Sequence, residues 1–200
     1  MKNYDWNHLL STYKKIVKPN FIVLEIGAST QKRTNDLIPF CKKIIGIEYN
    51  KKRLLKNSKN IEYLLGDWQK LSKILKPNSI DLAISSHVIE HIPDDVKALN
   101  ELYSVLKPNS CAIINTPNRE RLTRKIIEVF TGKRKFPYWE HIREYTESDL
   151  ISLIYKSNFK KYKITPLVFG IHGANINFYL KKVPKFLRKL SNFWEIVLYK

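Results

Sequence analysis

Short apolar runs alternate along this chain with longer amphipathic stretches, and this alternation limits its fold more than any other feature. Five runs read as strands, at residues 21–26, 44–48, 61–65, 80–85 and 111–115. They are nearly continuous in Ile, Val and Leu, which is typical of strands buried on both faces. Strands joined through helices form parallel sheets with right-handed crossovers. The sequence therefore predicts an α/β fold with a doubly wound, mostly parallel sheet.

The stretches between and after these runs are long enough for helices. We expect helices at 50–58 and 93–106, and one that opens at a Thr146-to-Asp149 capping box and ends near Ser157. Two later runs, 162–168 and 175–180, read as strands. Residues 184–200 read as a terminal helix with apolar residues on one face and basic residues on another. That pattern fits either a helix lying on anionic lipid or one docked against the sheet.

Length and charge limit the number of domains and the kind of partner that this chain can have. The 200 residues suffice for one domain, and we treat 1–200 as a single domain with a basic and aromatic insert at about 117–145. The net charge of +18 favours an anionic partner, unless it only reflects a genome rich in Lys, Asn and Ile codons. Cys41 and Cys111 lie in apolar surroundings without zinc-ligand spacing. We see no signal core and no run of about 18 apolar residues. We therefore expect a cytoplasmic protein, with contact at a membrane surface as an alternative.

Two residues at the ends of the first two predicted strands indicate a nucleoside site. Gly27 follows the first strand, where a bare backbone can turn tightly beside a ligand. Glu48 ends the second strand, about 20 positions later, where a carboxylate can accept both ribose hydroxyls. Open α/β sheets bind ligands at this end of their strands. The patterns of a phosphate-binding P-loop and of a dinucleotide fold are absent, which argues against ATP and NAD.

Six segments together resemble the class I S-adenosylmethionine (SAM) dependent methyltransferases, and the last of them resembles a stretch found in the subset that acts on quinones, sugars and other small molecules. In chain order they are VLEIGAS (23–29), IGIE (45–48), GDW (66–68), DLAISSHVIEHIPD (81–94), LKPNSCAIINTPN (106–118) and HIREYT (141–146). The resemblance implies a Rossmann-like sheet of seven strands whose last strand is antiparallel, and it implies SAM as the cofactor.

The resemblance also implies which residues bind SAM. Glu48 would bind the ribose and Asp67 the adenine amine, and the full expected set is Glu25, Gly27, Ala28, Ser29, Glu48, Tyr49, Gly66, Asp67, Trp68, Ser86 and His87. The first motif departs from the family pattern, because Ser29 and Gln31 stand where further glycines are usual. A side chain at Ser29 would either crowd the methionine end of the cofactor or donate a hydrogen bond to it.

Three histidines are candidates for catalysis, since an oxygen acceptor must lose a proton and imidazole titrates near neutral pH. His87 follows the fourth strand, His91 lies in the next turn, and His141 begins the last motif. We favour His141 as the base or as a ligand of the acceptor, while His87 and His91 can equally support the backbone. Glu90 and a neighbouring histidine are too few to indicate a metal, and we predict none.

The insert and the tail are expected to select the acceptor. The insert is rich in basic residues and ends in aromatic ones: Arg119, Arg121, Arg124, Lys125, Lys133, Arg134, Lys135, Phe136, Tyr138 and Trp139. It could cover a phosphorylated or lipid-linked glycan acceptor, or it could be a solvated helix. We therefore expect methyl transfer, on oxygen, to a small-molecule or lipid- or glycan-linked acceptor. The alternatives are an RNA methyltransferase and a non-catalytic protein of the same fold that binds an anionic partner.

Overall fold

The computed structural model describes residues 4–132, 141–171, 176–178 and 183–200. The strands in chain order are β1 (Ile22–Ile26), β2 (Lys43–Glu48), β3 (Ile61–Leu65), β4 (Ile80–Ser86), β5 (Leu106–Pro117), β6 (Lys161–Leu167), β7 (Phe169–Ile171), β8 (Ile176–Phe178) and β9 (Phe193–Tyr199). The α-helices are α1 (Tyr4–Ile16), α2 (Gln31–Leu37), α3 (Asp95–Val105), α4 (Leu122–Thr131) and α5 (Glu147–Lys156).

Seven strands form one sheet in the order β3-β2-β1-β4-β5-β9-β6. From β3 to β5 in this order, each pair of neighbouring strands is parallel. Strand β9 runs antiparallel to both of its neighbours, β5 and β6. The strand order reverses between β1 and β4, which is where such sheets bind ligands. The predicted fold class, a doubly wound seven-stranded sheet with its last strand antiparallel, is confirmed.

Helices cover both faces of this sheet. On one face, Leu99 and Leu102 of α3 and Leu150 of α5 are buried in a cluster with β4, β5 and β9 side chains. On the other face, Leu9 and Tyr13 of α1 are fully buried against β1, β4 and β5. Because both faces are covered, the strands carry apolar residues at consecutive positions, as their sequences indicated.

The prediction of a helix at 50–58 is wrong. The segment contains only a single 3₁₀ turn at Lys51–Arg53, and its three side chains are exposed. The Asn50 side chain accepts a hydrogen bond from the Lys52 amide at 2.9 Å, which favours a local turn. Little apolar area is buried to offset the cost of nucleating a helix, so none forms.

The helix expected at 93–106 is shorter at both ends. It begins at Asp95, with Asp94 as the N-cap that accepts from the Lys97 amide at 2.9 Å. Pro93 therefore precedes the helix instead of lying in its first turn. At the other end Leu106 already belongs to β5, which extends from Leu106 to Pro117 and is longer than the predicted 111–115. The capping box of Thr146 and Asp149 and the helix α5 that it opens are confirmed.

The terminal helix predicted at 184–200 is also wrong. Residues Lys185–Leu190 form 3₁₀ turns, and Phe193–Tyr199 form β9. Strand β9 lies between β5 and β6, so its backbone is hydrogen-bonded on both sides and Trp194 is fully buried. Pairing in the sheet thus overrides the helical spacing of the apolar residues, and the sequence argument for an interfacial helix no longer holds.

The remaining elements differ from expectation mainly in their partners. The strand predicted at 162–168 is β6. The strand predicted at 175–180 corresponds to β8, which pairs antiparallel with β7 in a separate two-stranded sheet. Within the insert, α4 is described, but Lys133, Arg134, Lys135, Phe136, Tyr138 and Trp139 lie outside the described residues. Across the described ranges, no helix combines the length and apolar character needed to cross a bilayer.

Candidate functional site

A cavity of about 670 Å³ lies at the carboxyl ends of β1 to β4. This volume is in the range of small-molecule sites, about 300–1,000 Å³. Most of the residues predicted from the sequence line it, namely Gly27, Ser29, Glu48, Tyr49, Gly66, Asp67, Trp68, Ser86, His87 and His91. Because the four strands are parallel, residues as far apart in the chain as Gly27 and His91, 64 positions, meet at one edge of the sheet.

Gly27 allows the chain to turn from β1 across the floor of this cavity. Its φ of +79° is a conformation that side chains disfavour, and a Cβ there would lie 2.4 Å from Val88 Cγ2. The Gly27 amide donates to the carbonyl of Ile47 at 2.9 Å, which holds the turn against β2. Ser29 follows in the cavity wall, and α2 begins at Gln31. The glycine is therefore required by the local geometry.

Two carboxylates stand at the ends of β2 and β3 on the cavity wall. Glu48 is buried, and its Oε1 accepts a hydrogen bond from the Asn50 amide at 2.8 Å. Asp67 accepts from the Gln69 amide at 2.9 Å through Oδ1. These bonds fix both side chains beside the cavity before any ligand binds. Carboxylates in such positions can accept hydrogen bonds from ribose hydroxyls and from an exocyclic amine.

Two buried donors on the cavity wall have no hydrogen-bond partner in the described part of the chain. They are the hydroxyl Oγ of Ser86 and the indole Nε1 of Trp68. Buried polar groups are nearly always satisfied, so these two donors leave hydrogen bonds that a polar ligand could complete. Together with the Gly27 turn and the two carboxylates, they fit a nucleoside cofactor.

Glu25 lies beside the main cavity and lines a smaller pocket that it shares with Gly27 and Arg33. Burial raises its pKa to about 7, although the Thr34 hydroxyl, which donates to Oε2 at 2.7 Å, and the charge of Arg33 both oppose the rise. Arg33 stacks on the Trp6 ring at 5.0 Å and lines both spaces. Glu25 and Arg33 thus both line the smaller pocket where β1 leads into α2.

Ala28 is the predicted cofactor residue that the structure leaves outside both spaces. It is fully buried, and its Cβ would lie 2.8 Å from a Cβ placed on Gly46. Its amide donates to the Ile47 carbonyl at 3.2 Å. Ala28 therefore packs the turn from behind.

His87 is held between two carboxylates at the end of β4. Its Nε2 lies 2.7 Å from Asp5 Oδ2 of α1, and its Nδ1 lies 3.4 Å from Glu90 Oε1. Burial alone would lower its pKa, but the hydrogen bonds to Asp5 and Glu90 raise the pKa to about 9. Its φ of +57° is unusual for a residue with a side chain and is found mainly where surrounding contacts enforce it. His87 therefore lines the cavity as an imidazolium at neutral pH.

His91 and His141 meet edge to face, with ring centroids 4.8 Å apart. His91 lines the cavity, and His141 Nδ1 lies 3.0 Å from Glu144 Oε1. Glu144 is buried and accepts hydrogen bonds from Arg121 at 2.6 and 3.1 Å. His91 thus lines the cavity, whereas His141 is not among the lining residues, packs against His91 and is supported by a buried ion pair.

Several lining residues had no sequence signal in the motifs, and chief among them are Arg33, Asn50, Arg53 and Gln69. Their positions follow from the local turns, such as the 3₁₀ turn that replaces the expected helix at 50–58. The basic residues of the insert also differ from expectation. Arg121 pairs with Glu144, and Arg124 is nearly fully buried and bonded to Glu128 at 2.9 Å. The two arginines are therefore buried and form ion pairs within the protein instead of facing solvent.

Comparisons with known proteins agree with this geometry. Residues 24–114 match a family model described as a methyltransferase domain. A probable S-adenosylmethionine-dependent methyltransferase of Mycolicibacterium smegmatis is 23% identical over 156 residues, 77% of this chain, and the chain spans 56% of that relative. A SAM-dependent methyltransferase of Thermotoga maritima superposes with a TM-score of 0.69 at 22% identity, over 98% of this chain and 89% of that one. One from Archaeoglobus fulgidus gives a TM-score of 0.68 at 18% identity, over 96% and 91%.

The fold and the cavity thus describe a doubly wound α/β domain whose cavity fits a nucleoside cofactor. The matches indicate which class of such domains it resembles. The resemblance to class I SAM-dependent methyltransferases is confirmed, and S-adenosyl-L-methionine is the cofactor. Residues 24–114 match a methyltransferase domain, and the chain has the fold of SAM-dependent methyltransferases.

Proposed function

We propose that the protein transfers the methyl group of SAM to an oxygen atom of a small-molecule or lipid- or glycan-linked acceptor. The observation that carries this proposal is the contact between two imidazoles, of which His91 lines the cofactor cavity and His141 packs against it. The cofactor supplies an electrophilic sulfonium methyl, and the protein supplies orientation and electrostatics. An oxygen nucleophile also needs to lose its proton, which a positioned imidazole can accept.

His141 suits this role better than His87 does. The Glu144 carboxylate holds Nδ1 of His141, so the other ring nitrogen is the natural acceptor of a proton or of a hydrogen bond from the acceptor. His87 carries a proton already at neutral pH, because Asp5 and Glu90 raise its pKa to about 9. An imidazolium cannot accept a further proton, and its place is to fix the end of β4 beside the cofactor.

The surface of α4 supports an acceptor with an apolar part. Val129 and Phe130 are 80% and 85% exposed near the end of this helix. Arg121 and Arg124 are engaged with Glu144 and Glu128, so any acceptor phosphate must be bound by other basic side chains. Exposed apolar residues and a net charge of +18 also favour contact with an anionic membrane surface that presents a lipid-linked acceptor.

Transfer of labelled methyl from SAM to a panel of acceptors tests the proposal. The panel should contain soluble phenols and sugars, lipid-linked glycans and bulk RNA. We expect label on an oxygen of the first two groups, and a fall in kcat of about 10²-fold or more in His141→Ala. S-Adenosylhomocysteine should still bind this variant, and the matched variant His8→Ala should retain activity. Label in RNA would favour the nucleic-acid alternative, and cofactor binding without any transfer would favour the non-catalytic one.

A further inference from the structure

Three potential metal ligands converge beside the cofactor cavity. One ligand atom from each of Glu90, His91 and His141 lies within 4.8 Å of the other two. The first two residues lie in the 3₁₀ turn Ile89–His91 that follows β4. The third is about fifty positions later in the chain, and it reaches the turn because the amides of Ile142 and Arg143 both donate to the Glu90 carbonyl, at 3.0 and 3.3 Å. Backbone contacts therefore hold the cluster together.

Glu90 is unusual because its carboxylate is completely buried. Oε2 accepts one hydrogen bond, from the Thr116 hydroxyl at 3.1 Å. Oε1 has no hydrogen bond among the described residues, and the nearest cationic nitrogen, His87 Nδ1, is 3.4 Å away. A buried carboxylate is costly unless opposite charge and hydrogen bonds compensate it. His87 already supplies opposite charge at 3.4 Å, and a bound cation would add the ligand that Oε1 lacks.

His141 has the support that metal-binding histidines usually have. Metal ligands of this type commonly donate their second ring N–H to a carboxylate, which fixes the tautomer and makes the ring more basic. Glu144 accepts from Nδ1 at 3.0 Å and is itself held by two hydrogen bonds from Arg121. This arrangement leaves Nε2 as the nitrogen that carries the lone pair.

We propose that Glu90, His91 and His141 bind one divalent transition-metal ion at the rim of the cofactor cavity. Two imidazoles and one carboxylate form a ligand set that suits Zn²⁺, Fe²⁺, Co²⁺ or Mn²⁺ better than Ca²⁺ or Mg²⁺. Three protein ligands leave at least one coordination position for a water molecule or a substrate oxygen. His91 lines the cavity, so that position faces the space where the acceptor is expected.

The role of the ion, though not its binding, rests on the proposed function. A hydroxyl bound to the metal loses its proton to solvent near neutral pH, because the cation stabilises the anion. The resulting oxygen forms a bond to the methyl carbon of SAM. The carbon–sulfur bond breaks with its electron pair on sulfur, which releases S-adenosylhomocysteine and the methyl ether. With the ion bound, His141 acts by coordination, and direct proton transfer to its imidazole applies to the metal-free protein.

The test is metal binding by the full chain without an affinity tag. Chelator-treated protein is titrated with Co²⁺ and followed by visible absorption, and with Zn²⁺ by calorimetry. We expect one ion per chain with the absorption of a nitrogen- and oxygen-ligated Co²⁺. His141→Ala and His91→Ala should abolish this signal, and Glu144→Gln should weaken affinity about 10- to 100-fold by loosening the His141 ring. The control His8→Ala removes a histidine that pairs with Glu195 and is not one of the three ligands, and it should bind like wild type.

Two results would overturn the proposal. One is the absence of stoichiometric binding to wild type, and the other is unchanged binding in His141→Ala, which would place the ion elsewhere. Stabilisation by S-adenosylhomocysteine shows that each variant is folded, and it keeps the His141 and His91 results valid if Glu90→Gln fails to fold. Full methyl transfer by chelated protein would overturn the catalytic role of the ion while leaving the proposed function intact. Metal binding without any methyl transfer would overturn the proposed function and leave the metal site intact.

Discussion

Asp5 and His87 are 82 positions apart in the chain, yet Asp5 Oδ2 lies 2.7 Å from His87 Nε2. Burial would raise the pKa of Asp5, but the hydrogen bond and charge of His87 lower it, so the pair is ionised on both sides at neutral pH. The contact joins α1 to the loop after β4, which lines the cofactor cavity. The first helix is thereby part of the site, although the sequence motifs begin only at β1.

Replacing Asp5 by Asn should therefore destabilise the protein at pH 7. Loss of a hydrogen bond between charged groups costs about 2 kcal/mol. Urea unfolding of Asp5→Asn, His87→Asn and the double variant measures the pair, since the double variant should lose little more than either single one. Additive losses would mean that the two side chains do not interact.

Glu25 should make stability depend on pH, because burial raises its pKa from 4.5 to about 7. The folded state then binds the proton more tightly than the unfolded state does. This contribution to stability is fully present below pH 4.5 and is lost as the pH rises through 7. The rise in pKa corresponds to about 3 kcal/mol at most.

The variant Glu25→Gln removes that titration, because the amide stays neutral. Between pH 4.5 and pH 8, the unfolding free energy of wild type should fall relative to that of the variant, by up to about 3 kcal/mol. Denaturant titrations at several pH values measure the difference. Parallel profiles for the two proteins would show that Glu25 ionises normally in the fold.

Glu48→Ala should abolish most binding of S-adenosylhomocysteine, since the carboxylate at the end of β2 faces the cavity. Ligand at 100 times its dissociation constant stabilises wild type by about 2.7 kcal/mol. Thermal unfolding with and without ligand measures the loss. The matched control is Glu62→Ala on β3, whose side chain pairs with Lys43 outside the cavity and should keep the full ligand effect. Equal stabilisation of Glu48→Ala and wild type would place the ribose elsewhere.

The exposed end of α4 should contribute to acceptor binding if the acceptor carries an apolar part. Val129→Ser with Phe130→Ser should raise KM for a lipid-linked acceptor severalfold, leaving kcat and the dissociation constant of S-adenosylhomocysteine unchanged. Tyr155→Ser is the control, because Tyr155 is 72% exposed on α5 and outside the cavity. Steady-state kinetics measures KM and kcat for the α4 variant and for the Tyr155→Ser control. An equal rise in KM in the two proteins would exclude a specific role for α4.

The C-terminal strand should be essential for stability. Trp194 is fully buried, and its indole donates to the Tyr145 carbonyl at 3.2 Å. Trp194→Ala should cost about 3–5 kcal/mol of unfolding free energy. Phe186→Ala should stay within about 0.5 kcal/mol, because Phe186 is 77% exposed. An interfacial helix would instead make both substitutions mild in the absence of lipid.

The sequence by itself determined the class of fold and most of the predicted residues that line the cavity. Nearly continuous apolar runs at 21–26 and 80–85 are typical of strands buried on both faces, and parallel strands bring their carboxyl ends to one edge. Gly27 and Glu48 follow from that rule, because each stands directly at a strand end. Local chemistry also placed the Thr146 cap, since its partner Asp149 lies within the same turn.

Tertiary structure decided everything that depends on distant partners. Residues Phe193–Tyr199 have apolar side chains that fit a helix or a strand, and only the open edge between β5 and β6 selects the strand. The pairings of Asp5 with His87, of Arg121 with Glu144, and of His141 with His91 join segments that no local pattern relates. Buried charges are stable only when such partners exist, so their positions follow from the folded chain and not from local spacing.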